Sequence, residues 1–104
     1  FVEGRDDEMI VSGGENVFPR EIEDCLARHA AVNEAAALGV PDDDFGQRLR
    51  AFVVLADQSV TEDDLKAWVR DNLARYKVPR EIVFVDELPR NATGKILKRE
   101  LAER

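Results

Sequence analysis

Apolar residues along this chain follow helical spacing in some segments and strand-like runs in others. After Pro19, apolar residues recur every three or four positions, which is the spacing of one helical face. Proline suits the first position of a helix because its missing N–H needs no partner there. The predicted face consists of Ile22, Cys25, Leu26 and His29. The pattern predicts an amphipathic helix of about three turns.

Two short apolar runs near the start of the chain flank a pair of glycines. Residues 9–11 and 17–18 each have the length of a short strand, and Gly13 and Gly14 lie between them. Glycine adopts positive φ angles readily and allows another backbone or a ligand to approach closely. The pair is therefore either a plain hairpin turn or a place where a ligand passes along the backbone.

Three further runs predict the strands of a larger sheet. Residues 32–40 are apolar and rich in alanine, and they lead into residues 41–46, which have the composition of a turn. Residues 49–55 carry Val and Phe on both sides of the alternation, which predicts a strand covered on both faces. Because a turn joins these two strands, we expect them to pair antiparallel. Residues 81–85 predict a third strand.

A second helix is predicted to begin after Thr61. The hydroxyl of Thr61 can accept a hydrogen bond from a backbone N–H, and the three acidic residues that follow complement the helix dipole. One face then follows at helical spacing: Leu65, Trp68, Val69, Asn72 and Leu73. We expect this face to pack on the sheet, with Trp68 as a core anchor rather than a stacking platform. Residues 76–80 break this helix, and residues 96–101 predict a final short one.

These elements predict an α+β fold, in which a short two-stranded hairpin is followed by a three-stranded sheet packed with helices. The length of 104 residues fits one domain. The net charge of -7 argues against a nucleic-acid partner, because phosphate backbones are bound mainly through clustered Lys and Arg. No apolar run has the length of a transmembrane segment. The stretch from Arg90 onward is more basic than the rest and suits a polyanionic small molecule.

The single cysteine, Cys25, cannot form an internal disulfide, which fits a reducing compartment. It lies on the apolar face of the first predicted helix, and only His29 is a nearby base, so we interpret it as a core thiol rather than a nucleophile. The chain begins at Phe1 without an initiator methionine. We therefore expect it to be a piece of a longer protein.

A Gly-Lys step lies between a turn-rich segment and the last helical pattern. Lys95 follows Gly94 there, and a lysine ammonium at a loop tip is suited to stabilising charge on phosphoryl or carboxylate oxygens. A phosphate-binding P-loop is not expected, because Ile96 stands where that motif needs Ser or Thr and its first glycine is missing. On these residues alone, Lys95 is either an anion-binding group or a solvated lysine beside a helix start.

Two motifs taken together resemble a known enzyme family. The first covers residues 4–23 and contains both the acidic start and the glycine pair, and the second covers residues 88–96 around Lys95. Shorter matches lie between them at 39–42, 51–54 and 76–79. Over essentially its whole length, the chain resembles the C-terminal domain of the acyl-CoA synthetases, within the adenylate-forming superfamily.

The resemblance implies that residues 1–104 form a mobile C-terminal domain whose large N-terminal domain lies outside this chain. In the family, a carboxylate attacks the α-phosphate of ATP to give an acyl-adenylate and pyrophosphate, and the thiol of coenzyme A then displaces AMP. The small domain turns between these steps and presents two different faces. ATP and coenzyme A are thus expected, with Mg²⁺ held by the N-terminal domain, and we assign no residue of this chain to a metal.

Three residues receive roles in the first step and in the turning of the domain. Lys95 matches the catalytic lysine, which also binds the nucleotide and bridges the substrate carboxylate and the α-phosphate. Arg5 matches an arginine that lies near the nucleotide, and Asp7 matches the hinge.

The glycine pair receives a role in the second step. Gly14 falls where the pantetheine arm of coenzyme A passes along the backbone, with Gly13 and Glu15 beside it. Some ligases carry an arginine near the position of Phe45 that contacts the coenzyme A nucleotide, and this chain lacks it. The remaining candidates for that contact are Arg70, Lys98 and Arg99, for each of which a solvated surface role is the alternative.

The chain is therefore predicted to belong to a cytoplasmic ATP-dependent carboxylate–CoA ligase for fatty or aromatic acids. As an isolated domain it is expected to be inactive or nearly so, with its own N-terminal domain as the partner. The Ser-Gly-Gly-Glu-Asn-Val stretch at 12–17 favours such ligases over peptide-synthetase modules. Two alternatives stay open: an adenylation domain that loads a carrier protein, and a non-catalytic interaction module that has kept the fold.

Overall fold

The computed structural model describes residues 10–12, 15–43 and 46–102. Within these residues the elements are, in chain order, β1 (Ile10–Ser12), β2 (Glu15–Val17), α1 (Pro19–Ala27), β3 (Val32–Asp42), β4 (Gly46–Leu55), α2 (Glu62–Asn72), a 3-10 turn (Arg75–Lys77), β5 (Glu81–Phe84) and α3 (Lys98–Ala102). Strands β1 and β2 form an antiparallel hairpin, and the larger sheet has the order β3-β4-β5. The predicted α+β fold is confirmed.

The larger sheet is mixed. Strand β4 pairs antiparallel with β3, as the sequence predicts, and parallel with β5. The parallel pairing follows from the connection, because α2 lies between β4 and β5 and carries the chain back to the start of the sheet.

Strand β4 is covered on both faces, which confirms the sequence prediction. Leu49, Ala51 and Val53 point to a first core cluster that contains the apolar faces of α1 and α2. Phe52 and Val54 point to a second cluster on the other face, which is closed by buried side chains from the C-terminal segment. The sheet is thus a middle layer, with α1 and α2 on one side and the segment that leads to α3 on the other.

Helix α2 begins as predicted. The Thr61 hydroxyl accepts a hydrogen bond from the Asp64 N–H, and the Asp64 carboxylate accepts one from the Thr61 N–H, which completes a capping box. Trp68 packs against the first cluster, and its indole N–H donates to the carbonyl of Cys25 at 2.7 Å. Asn72 is exposed, while Leu73, just beyond the end of the helix, packs against the first cluster, so the predicted face departs from the core only at its polar member.

Three boundaries differ from the sequence prediction. Helix α1 ends at Ala27, so His29 lies beyond it, in the turn where its Nδ1 accepts the N–H of Ala31. Pro41 belongs to β3 rather than to a turn, which is possible because β3 is an edge strand and proline needs no ladder hydrogen bond there. Ile96 pairs with Arg90 in an isolated β-bridge, so α3 can begin only at Lys98.

Glutamate side chains lie against both outer edges of the larger sheet. Glu23 on α1 accepts the N–H of Ala37 on β3 at 2.8 Å, and Glu62 on α2 accepts the N–H of Ile82 on β5 at 3.0 Å. A sheet edge with unpaired backbone groups invites pairing with another chain. These two carboxylates therefore satisfy part of each edge and tie a helix to it.

The Glu62 contact predicts a dependence of stability on pH. The pKa of Glu62 is lowered below its ordinary value of 4.5, mainly by the hydrogen bond from the Ile82 backbone N–H and to a smaller extent by Lys66. Its contribution should be present above pH 4.5 and be lost as the pH falls through the lowered pKa. In urea unfolding, Glu62→Gln should be less stable than wild type at neutral pH by under about 1 kcal/mol, because the group is partly exposed.

At an acid pH below the lowered pKa of Glu62 the two proteins should converge, since the wild-type carboxylate is then protonated. Glu87→Gln removes a carboxylate from an exposed position and is the matched control. A Glu62→Gln deficit of equal size at both pH values would contradict the assignment.

Candidate functional site

Lys95 lies at the end of a tight loop on the second-cluster side of the sheet. The antiparallel bridge between Arg90 and Ile96 closes this loop, and the N–H of Leu97 donates to the Pro89 carbonyl at 2.8 Å. On either side, Leu88 and Leu101 are buried in the second cluster. The loop itself is exposed from residue 90 to residue 95, so its shape depends mainly on its own hydrogen bonds.

The backbone of the loop turns at Gly94. Its φ of 89° lies in the left-handed region, which a residue with a Cβ adopts only with strain. The N–H of Gly94 donates to the Asn91 carbonyl at 2.9 Å, and the N–H of Asn91 donates to the Lys95 carbonyl at 2.9 Å. The glycine before the lysine is therefore required by the turn.

The side chain of Asn91 fixes the interior of the loop. Its Oδ1 accepts hydrogen bonds from the Thr93 N–H at 3.0 Å, the Thr93 hydroxyl at 2.7 Å and the Lys95 N–H at 3.0 Å. Short polar side chains of this type stabilise turns by bonding to the backbone that follows them. Both backbone polar groups of Lys95 are thus bonded to Asn91.

Arg90 joins the loop to the sheet. Its guanidinium donates from Nη1 to the Gly94 carbonyl at 2.8 Å and from Nη2 to the Glu34 carboxylate on β3. Sequence reasoning missed Arg90, Asn91 and Glu34. The turn-forming Asn91 could have been found from its place before Gly94, whereas nothing local in the sequence connects Glu34 with position 90.

The groove beside this loop is acidic. Its lining contains one guanidinium, that of Arg90, and three carboxylates, those of Glu34, Glu87 and Glu100. Such a lining repels a polyphosphate.

The coenzyme A candidates fall at residues 13–15, of which the structure describes only Glu15. Gly13 and Gly14 lie outside the described residues, as do Arg5 and Asp7 of the first motif. Glu15 begins β2, and its pairing with Ser12 leaves two residues between the paired ends of the strands. Val17 at the end of β2 is buried in the first cluster.

Other sequence candidates have structural contacts. Lys98 pairs with Glu23 at 2.7 Å, and both side chains are four-fifths buried. Arg70 is half exposed beside Asp71 on α2, while the side chain of Arg99 lies outside the described part. Cys25 is buried, and this burial raises the pKa of its thiol, which confirms that it is a core thiol.

The described residues contain neither a metal-binding cluster nor a membrane-spanning helix. Residues 10–12, 15–43 and 46–102 contain no group of three or more His, Cys, Asp or Glu that could hold a metal ion. In the same ranges no helix is long and apolar enough to cross a membrane.

Residues 21–95 match the family model described as the AMP-binding enzyme C-terminal domain. The chain belongs to this family. The match begins inside α1 and ends at Lys95, so it covers the loop and all of the two core clusters except Val17 of the first and Leu101 of the second. The resemblance seen in the sequence is confirmed.

Curated members of the family are similar to almost the whole chain. The putative acyl-CoA synthetase YngI of Bacillus subtilis (strain 168) is 44% identical over 104 residues, which are 99% of this chain and 19% of that protein. A 2-succinylbenzoate–CoA ligase of Bacillus cereus (strain Q1) is 46% identical over 103 residues, which are 99% of this chain and 21% of that protein. The chain therefore spans about a fifth of the length of these relatives.

A solved structure has the same fold. The Mycobacterium tuberculosis fatty acyl CoA synthetase superposes with a TM-score of 0.87 and 44% sequence identity, over 91% of this chain and 19% of that one. This chain thus corresponds to about a fifth of that larger structure.

Proposed function

We propose that this chain is the mobile C-terminal domain of a longer AMP-forming carboxylate–CoA ligase. The observation that supports the proposal is Lys95, which matches the catalytic lysine of the family motif and lies at the end of a loop held by hydrogen bonds from Arg90 and Asn91. The ATP and acid sites, with the Mg²⁺ that accompanies ATP, would belong to the N-terminal domain. Residues 1–104 alone would be inactive or nearly so.

In the first step, a carboxylate oxygen of the acid forms a bond to the α-phosphorus of ATP, and pyrophosphate leaves. Two anions must meet for this to happen. The ammonium of Lys95 offsets their repulsion and stabilises charge that develops on the oxygens between them. Arg5 would contact the same nucleotide.

In the second step, the thiol of coenzyme A attacks the acyl carbonyl and AMP leaves. Gly13, Gly14 and Glu15 would line the path of the pantetheine arm, where a missing Cβ leaves room beside the backbone. Rotation of the domain about Asp7 would bring first the face with Lys95 and then the face with the hairpin to the active site of the N-terminal domain. Support comes from the core: Val17 beside this hairpin packs in the first cluster, whereas Ile96 beside Lys95 packs against the second.

We assign the acid to the fatty or aromatic class. The relatives support this choice, since one is named for 2-succinylbenzoate and a solved neighbour for fatty acyl groups. The single buried cysteine fits a cytoplasmic location. A carrier protein as the acceptor is the close alternative, and a non-catalytic interaction module is the distant one.

The test is carboxylate-dependent exchange of labelled pyrophosphate into ATP by the full-length protein that contains this chain. We expect exchange with one or more members of a panel of fatty and aromatic acids, and thioester formation when free coenzyme A is added. Exchange without thioester formation on free coenzyme A would favour the carrier-protein alternative. Absence of exchange with every acid would contradict the proposal and favour the interaction module.

A further inference from the structure

The peptide that joins Gly94 to Lys95 is held at both of its polar atoms. Its carbonyl oxygen accepts from Nη1 of Arg90 at 2.8 Å, and its N–H donates to Oδ1 of Asn91 at 3.0 Å. Rotation of this peptide would break both hydrogen bonds. The plane of the peptide, and with it the direction in which the Lys95 side chain leaves the backbone, is therefore fixed by two side chains.

The Arg90 contact is itself attached to the sheet. Nη2 of Arg90 pairs with the carboxylate of Glu34, which lies 56 positions earlier in the chain. Asn91 belongs to the loop and moves with it, whereas Glu34 belongs to β3. Arg90 thus adds a side-chain link between the loop and β3, whereas Asn91 acts only within the loop.

A β-bulge immediately precedes Glu34 on β3. Val32 pairs with Leu55 and Glu34 pairs with Val54, so the bulge leaves Asn33 as an extra residue on β3. Bulges often change the direction of a side chain near a functional site. Glu34 then shares a face with Ala36, and this is the face on which the C-terminal segment packs.

The exposure of the Arg90–Glu34 pair indicates that it orients the loop rather than stabilises the fold. The side chains of Arg90 and Glu34 are 41% and 37% exposed, and ion pairs at such positions contribute little to folding. A planar guanidinium, however, satisfies two acceptors at fixed angles, which a lysine ammonium does not. The two acceptors here are one carboxylate on the rigid sheet and one carbonyl next to Lys95.

We propose that Arg90, anchored by Glu34, is a positioning residue that sets the location of Lys95 for acyl-adenylate formation. This inference depends on the proposed function of Lys95. The Lys95 ammonium must meet oxygens that are held by another domain, so a small displacement of the loop lowers the rate without changing the fold.

The test compares Arg90→Ala, Arg90→Lys and Glu34→Gln in the full-length protein, with Lys95→Ala measured alongside. Arg28→Ala, at an exposed arginine after the end of α1, is the matched control. For each variant we would measure kcat and KM for ATP in pyrophosphate exchange, the rate of thioester formation from preformed acyl-adenylate, and the thermal unfolding midpoint.

For Arg90→Ala we expect a decrease of about 10- to 100-fold in the kcat of adenylation, with the thioester step and the unfolding midpoint close to those of wild type. Arg90→Lys should recover only part of the rate, because one ammonium cannot hold both acceptors. Glu34→Gln keeps an acceptor for Arg90 and should lose less activity than Arg90→Ala.

If Arg90→Ala forms the acyl-adenylate at the wild-type rate while Lys95→Ala is impaired, the positioning role of Arg90 is overturned. Equal loss of both half-reactions together with a lower unfolding midpoint would also overturn it, because that result indicates a general structural role. Unimpaired adenylation by Lys95→Ala would instead overturn the proposed function. If Arg90→Ala does not fold, the same comparison with Arg90→Lys decides.

Discussion

Lys95→Ala in the full-length enzyme should lower the rate of acyl-adenylate formation by about 10²- to 10³-fold, which is the usual effect of removing one preorganised group that stabilises developing charge. The second half-reaction should continue at close to its normal rate. The reason is the proposed assignment of the two half-reactions to two different faces of the domain. Lys95 extends from a loop on the second-cluster side of the sheet, whereas the hairpin proposed to meet coenzyme A is joined to the first cluster.

Two assays separate the half-reactions. Pyrophosphate exchange reports adenylation, and single-turnover transfer from a preformed acyl-adenylate to coenzyme A reports the second step. Lys66→Ala is the matched control, because Lys66 lies on α2 on the opposite side of the sheet and its Nζ donates to the Arg80 carbonyl. It should leave both rates near those of wild type.

A further variant separates the effect of the positive charge of Lys95 from the effect of its side-chain shape. Lys95→Arg keeps a cation, but its guanidinium is larger and delocalised, so it should restore adenylation only in part. If Lys95→Ala slows both half-reactions equally, Lys95 is not confined to the first step and the proposed division of labour is wrong.

Much of the fold follows from local signals. The capping box at Thr61 and the proline at position 19 each mark a helix start, and the structure begins α2 and α1 at these places. The run at 49–55 predicts a strand covered on both faces because its apolar residues occupy both sides of the alternation. These features depend on neighbouring residues, and such features can be read from one sequence.

The features that were missed depend on distant residues. Pro41 continues β3 only because β3 lies at the edge of the sheet, and nothing near Pro41 indicates that position. Ile96 is part of an apolar run of helical type, yet its bridge to Arg90 keeps it extended. In both cases the tertiary arrangement overrides a reasonable local prediction.

In the candidate site, too, local features could be predicted from the sequence and features that depend on distant residues could not. Gly94 and Lys95 were found from the sequence, and the turn at Gly94 explains why glycine precedes the lysine. The contact of Arg90 with Glu34 could not be found, because it joins residues 56 positions apart that only the tertiary fold brings together. The residues proposed to carry the chemistry have local signatures, whereas the residue proposed to position them does not.

Gly14→Leu should have the opposite effect to Lys95→Ala. Gly14 lies outside the described residues, and its assignment comes from the family motif and from the pairing of Ser12 with Glu15 on either side of the glycines. A leucine side chain beside the pantetheine path should displace the thiol from the acyl carbonyl. Since a displacement of about 1 Å can cost on the order of 10²-fold, we expect a loss of that size in the thioester step.

Gly14→Ala provides a graded control in which one methyl group is added instead of four carbons. The thioester rate at fixed coenzyme A should therefore decrease from Gly14 to Ala to Leu, while pyrophosphate exchange stays near the wild-type rate for all three proteins. A parallel decrease in exchange would indicate a disrupted hairpin rather than a blocked path.

The same series separates the two possible acceptors. If free coenzyme A is the substrate, it should react with the wild-type protein and lose reactivity in proportion to the size of the side chain at position 14. If a carrier protein supplies the thiol, its phosphopantetheine arm should show that dependence, while free coenzyme A reacts poorly with every variant including wild type. Because both acceptors present the same pantetheine arm to the hairpin, the dependence on position 14 locates the path, and the wild-type rates identify what travels along it.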